Sequence, residues 1–120
     1  MRPKRSIALW PTVIGVLLTF GVAADPAATP KSADDAHAHE IVIGNFMFGP
    51  STLTVAAGTV VTWLNEDDDP HTVIGTDSES PIRSRPLDSG ERYSIKLTKP
   101  GTYRYFCSLH PHMTGTVIVQ

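Results

Sequence analysis

From Glu40 onward, apolar and polar residues alternate with a period of two, in short runs interrupted by Gly, Pro, Asn and Asp. That is the pattern of half-buried β-strands with turns between them. Glu40-Ile-Val-Ile-Gly-Asn45 reads as one strand, and Phe46-Met-Phe48-Gly-Pro50 as an aromatic kink after it. Leu53 and Val55 alternate in a short strand closed by Ala56-Ala-Gly58, and Thr59-Val-Val-Thr-Trp63-Leu-Asn65 is the strongest strand of the chain. Tyr93-Ser-Ile95-Lys-Leu97-Thr alternates cleanly, Pro100-Gly101 turns it into Thr102-Tyr-Arg-Tyr-Phe106, and Thr114-Gly-Thr-Val117-Ile-Val119 closes the chain. Residues 66–91 are mostly polar or turn-forming, with short strands expected at Thr72–Ile74 and near Ile82–Leu87. No part of this stretch carries a helical period. The expected fold class is an all-β, antiparallel Greek-key β-sandwich of about seven to eight strands, in one domain over residues 40–120.

The first 39 residues read differently. Met1-Arg-Pro-Lys-Arg5 is basic, Ile7 to Val22 is apolar, and Val22-Ala-Ala24 offers small residues for cleavage; together these are the three parts of an export signal. The apolar run falls short of the roughly 20 residues that a spanning helix needs. Residues 1–24 are therefore expected to be a cleaved signal peptide, with retention as a membrane anchor the weaker alternative. Residues 25–39, rich in Ala, Asp and Pro, are expected to be a flexible lead-in. Within them His37-Ala-His39 resembles an exposed metal-binding pair, but no third ligand is fixed nearby, so a solvated linker is the simpler reading. Export places the mature protein in the periplasm, without stable membrane insertion.

The whole chain has a formal charge of −2. The leader takes away Arg2, Lys4 and Arg5 and no acidic residue, so the mature chain is more acidic still. That speaks against nucleic acid and anionic membrane as partners. It permits steering toward a basic protein surface.

Cys107 is the one cysteine. In an oxidising compartment, a thiol without a partner in its own chain is intermolecular, free and reactive, or a metal ligand. Its neighbours favour the third reading, because Cys107-Ser-Leu-His110-Pro-His-Met113 sets a thiol, an imidazole and a thioether three residues apart. A Cys/His/His site with a weak axial Met is the ligand set of electron-transfer copper. The missing imidazole is offered by His71, at the end of Asn65-Glu-Asp-Asp-Asp-Pro-His71-Thr-Val. The expected metal and cofactor ligands are thus His71, Cys107, His110 and Met113, around one copper ion cycling between Cu(II) and Cu(I). Zinc has little use for Met, and one cysteine is too few for an iron–sulfur cluster.

Most of the other candidate residues lie close in sequence to the same site. The backbone N–H of Thr72 is placed to donate to the Cys107 sulfur. Asn65 either pins the ligand-bearing loop or does ordinary turn chemistry. Met47 is expected to pack in the core or at its rim rather than to ligate. The acidic run Glu66–Asp69 either orients a basic partner or is a solvated loop. His112 has the wrong spacing from Cys107 for a ligand and reads as a surface residue.

Two segments carry a family likeness: Asn45-Phe-Met-Phe-Gly-Pro50 through Trp63-x-Asn65 to His71-Thr-Val, and Pro100-Gly-Thr-Tyr-Arg-Tyr-Phe-Cys107 through His110-Pro-His-Met113-x-Gly115. In these the chain resembles the cupredoxins, and the amicyanin and plastocyanin group in particular, over roughly residues 40–120. The short Cys-x-x-His-x-x-Met loop is closer to amicyanin. His112 departs from the pattern, standing where amicyanins usually carry an apolar aromatic residue. The resemblance implies an eight-stranded sandwich with type 1 copper near one end, held by His71, Cys107, His110 and Met113. It implies a diffusible electron carrier, suited to a monomer, with a dehydrogenase, a reductase or a c-type cytochrome as redox partner. The alternative is a periplasmic copper-binding or delivery protein without a shuttle role. An enzyme is not expected, since Phe106 and Ser108 flank Cys107 where copper oxidases place a wiring His.

Overall fold

The computed structural model describes residues 39–120, together with the isolated Gly15 and Gly21. The expected signal peptide and all of the lead-in except His39 lie outside the described residues.

Eight strands form: β1 (Glu40–Gly44), β2 (Met47–Gly49), β3 (Thr52–Val55), β4 (Thr59–Asn65), β5 (Ile74–Gly75), β6 (Arg92–Leu97), β7 (Gly101–Phe106) and β8 (Thr114–Val119). They make two four-stranded sheets, ordered β2-β1-β4-β6 and β3-β8-β7-β5. The alternation in sequence becomes alternation across each sheet. Ile41 and Ile43 of β1 face inward, as do Val61 and Trp63 of β4, Tyr105 of β7, and Val117 and Val119 of β8; all are buried in one core between the sheets. The all-β sandwich read from the pattern is the fold.

Strand direction differs from the expected all-antiparallel arrangement. β1 runs parallel to β4, with Ile41 opposite Trp63, and β3 runs parallel to β8, with Leu53 opposite Val117. The other pairs are antiparallel. A period of two reports which face is buried and is the same for both directions. The turn at Ala56-Ala-Gly58 forms as expected: the Thr59 N–H donates to the Ala56 carbonyl at 3.2 Å, and Gly58 has φ +89°, which suits glycine at this turn position.

The polar segment between β4 and β6 is an arm folded back on itself. His71 and Leu87 exchange two backbone hydrogen bonds, of 3.1 and 2.7 Å. Further along, the Ser84 N–H donates to the Val73 carbonyl at 2.8 Å, and the Ser84 hydroxyl accepts from the Val73 N–H at 2.7 Å. The Gly75 N–H donates to Ile82. Val73, Ile82 and Leu87 are buried, so the arm is plugged into the core despite its polar composition. Only a two-residue strand and two isolated bridges are regular here, against the short strands expected at 72–74 and 82–87. His39 is half-buried at the head of β1, and its carbonyl accepts from the Thr62 N–H at 3.0 Å.

Candidate metal centre

One end of the sandwich collects four segments: the β1–β2 turn, the end of β4, the arm and the loop between β7 and β8. Cys107 follows β7 directly, so its position is set by a strand paired on both sides, with β5 and β8. The loop is closed by its own backbone, the Cys107 N–H donating to the Met113 carbonyl at 3.1 Å and the Met113 N–H to the His110 carbonyl at 2.9 Å. His71 arrives from the arm, held by its two bonds to Leu87.

Among the described residues, the ligating atoms of His71, Cys107 and His110 lie within 4.8 Å of one another. Cys107 Sγ is 3.7 Å from His71 Nδ1 and 3.8 Å from His110 Nδ1. Thiolate and imidazole bonds of about 2.0–2.3 Å to one divalent ion, opened to the ~120° of a trigonal site, span ~3.8 Å between donor atoms. The spacing therefore fits a single trigonally held ion. Cys107 and His71 are fully buried, His110 is half-buried, and Met113 is buried at the base of the same loop. The structure thus brings His71, Cys107 and His110 together and encloses Met113 beside them.

The electrostatics suit a thiolate. Burial pushes the Cys107 thiol up. The Thr72 N–H, donating at 3.4 Å, and the His71 and His110 imidazoles outweigh it, bringing the thiol from 9.0 down to about 6. The expected Thr72 donation is therefore present. The Thr72 hydroxyl also sits 2.8 Å from the Ser108 hydroxyl and accepts from the Ser108 N–H at 2.7 Å, tying the arm to the Cys107 loop. Asn65 is fully buried and pins the arm: its side-chain amide donates to the carbonyls of Asp69 and Leu87, and its oxygen accepts from the Asp67 N–H.

Two participants were not singled out from the sequence. Asp67 Oδ2 lies 2.8 Å from His71 Nε2. Burial raises the Asp67 carboxyl, but donation from the Phe46 N–H, from His71 and from the Asn45 N–H outweighs it and holds the group below the usual carboxylate range. Phe46 stacks edge-on against both imidazoles, 5.3 Å from His71 and 5.0 Å from His110 between centroids. The expected kink is in fact a two-residue hairpin turn in which Asn45 and Phe46 both have positive φ, 51° and 59°. Asn tolerates that region, whereas for Phe it costs ~1–2 kcal/mol. Apart from its place in the acidic run, Asp67 gave no signal, and nothing in the local sequence predicts a left-handed Phe.

The remaining candidates are peripheral. Met47 is 63% exposed, at the rim rather than in the core, and His112 is exposed. His37 lies outside the described residues. Glu66, Asp68 and Asp69 are exposed.

Two sheets of this order, with a buried Cys between two imidazoles at one end, define a copper-binding sandwich. The chain matches the cupredoxin-like domain family over residues 12–119 and belongs to that family. It is 37% identical to amicyanin-alpha of Methylorubrum extorquens over 84 residues, 68% of this chain and 71% of that protein. It is 38% identical to plastocyanin of Scenedesmus fuscus over 88 residues, 64% of this chain and 90% of that one. A solved reduced, Cu(I) form of an amicyanin variant superposes with a TM-score of 0.64 at 30% identity, covering 68% of this chain and 80% of that one. With relatives of this kind, the class is that of electron-transfer proteins rather than enzymes, and the cofactor is one type 1 copper ion.

Proposed function

We propose that the protein is an exported single-electron shuttle whose copper would be held by His71 Nδ1, Cys107 Sγ and His110 Nδ1, with the Met113 thioether as a further, weaker ligand. The observation that carries this reading is the convergence of a buried, acidified thiol with two imidazole Nδ1 atoms at 3.7 and 3.8 Å. Copper, when bound, supplies a one-electron Cu(II)/Cu(I) couple. The chain's own residues do the rest. The Thr72 N–H holds charge at the sulfur, Asn65 and the Leu87 ladder keep His71 in place, and the closed loop keeps Cys107, His110 and Met113 in one arrangement. A site that cannot relax far between oxidation states needs little rearrangement on electron transfer.

His110 is the ligand nearest solvent, and Phe46, Met47 and Leu109 are large exposed apolar residues. A small apolar contact around the His110 edge serves a transient encounter, and the exposed Glu66, Asp68 and Asp69 favour a basic partner. The partner class is a c-type cytochrome, a dehydrogenase or a reductase, met by a monomer in the periplasm after cleavage near Ala24. Among the described residues no helix is long and apolar enough to cross a membrane.

Ligand variants test the assignment. His71→Ala, Cys107→Ala and His110→Ala should each abolish the intense visible band of the copper-loaded protein. Met113→Leu should keep the band and change the reduction potential. A full band in any of the first three would remove that residue from the ligand set. Binding of Cu(I) without reversible oxidation would support copper delivery instead.

A further inference from the structure

The fold divides the acidic run. Glu66, Asp68 and Asp69 face solvent, whereas the Asp67 side chain is only 13% exposed and meets two backbone donors and one imidazole nitrogen. The Asn45 N–H reaches Oδ1 at 2.7 Å, the Phe46 N–H reaches Oδ2 at 2.9 Å, and His71 Nε2 lies 2.8 Å from Oδ2. The two amides are consecutive groups of the β1–β2 turn, the kind of concavity that receives an anion. The same turn carries the Phe46 ring that lies edge-on to His71 and His110.

We propose that Asp67 is a positioning residue that selects the metal-binding tautomer of His71 and fastens the Phe46 turn over the site. A neutral imidazole carries one proton. With that proton on Nε2 and donated to Asp67, Nδ1 is left as a free lone pair facing the Cys107 sulfur. Three donors require a group that accepts at both oxygens and donates nothing, which an ionised carboxylate does. An amide offers one acceptor and two N–H donors, so at least one of the three donors would face an N–H. The negative charge beside the imidazole also favours the more positive oxidation state of an ion held by that ring. This last consequence rests on His71 being a copper ligand; the tautomer and the turn do not.

The test uses the full chain with Asp67→Asn, the charge-keeping Asp67→Glu, and Asp68→Asn as a control at an exposed position. In metal-free protein at alkaline pH, ¹⁵N NMR reads the tautomer and amide exchange reads the turn. Wild type and Asp68→Asn should show His71 as the Nε2–H form, and Asp67→Glu should keep it. Asp67→Asn should show mixed tautomers, with exchange at Asn45 and Phe46 faster by about tenfold or more, the scale of losing a hydrogen bond to a charged group. In copper-loaded protein the same variant should keep its visible band and shift the Cu(II)/Cu(I) ratio about tenfold toward Cu(I), which is about 59 mV for a one-electron couple. A wild-type His71 found as the Nδ1–H form overturns the proposal without any variant. So does an Asp67→Asn protein with unchanged tautomer and turn exchange. A wild type that lacks the visible band strikes the ligand reading only, because the metal-free measurements test Asp67 either way.

Discussion

Cys107 concentrates opposing forces in one atom: burial disfavours the thiolate, while Thr72, His71 and His110 favour it and win, leaving a thiol of about 6 against an ordinary 9.0. A depressed acid contributes stability that is complete above its unfolded value and is lost as pH falls through its folded value. In metal-free protein, the stability difference between wild type and Cys107→Ser should therefore grow as pH rises from about 6 to 9, and level off to a pH-independent remainder below about 6. Urea unfolding at a series of pH values measures it, and a difference that is flat across that window would mean that the thiol is not held as thiolate. The cluster that the fold gathers here was legible in sequence because its residue types and spacing are chemical: one soft thiol, an imidazole three residues on and a thioether three beyond that. Asp67 was not legible. Its partners at Asn45 and Phe46 are 22 and 21 residues away, and only the fold brings them to it.

At the scale of elements, β7 and β8 show how closely strand packing governs the site. Gly115 of β8 pairs with Tyr105 of β7, two residues before Cys107. A Cβ at Gly115 would collide with the Tyr105 ring and hydroxyl. Tyr105 is fully buried, edge-on to Phe48 and Trp63 at 4.8 and 5.3 Å, and cannot swing aside. Gly115→Ala should cost about 1–3 kcal/mol by overpacking. Adding Tyr105→Phe should recover only part of that, because ring carbons as well as the hydroxyl stand in the way. Denaturant unfolding of the two single variants and the double variant reads the coupling, and a neutral Gly115→Ala would show that the pair has room to spare. The strands themselves were readable from alternation, since each buries one face. Their directions were not, and neither was the arm at 66–91. The arm's buried Val73, Ile82 and Leu87 are spread among polar residues and are fixed by hydrogen bonds such as Ser84 to Val73 rather than by a period.

For the molecule as a whole, the sandwich is what unites His71 with Cys107, 36 residues apart. β4 delivers the arm and β7 delivers the Cys107 loop to the same end, and the Thr72–Ser108 contact ties the two together. The metal centre is thus a property of sheet packing, with the rigid part of the fold behind it and His110 toward solvent. This end of the molecule holds one type 1 copper that takes up and releases single electrons. The most direct test is the visible spectrum of the protein after addition of one equivalent of Cu(II), followed by reductant and then reoxidation. An intense blue thiolate-to-copper band that bleaches on reduction and returns on reoxidation is expected. A protein that binds the metal yet stays colourless, or whose colour does not return, would contradict it.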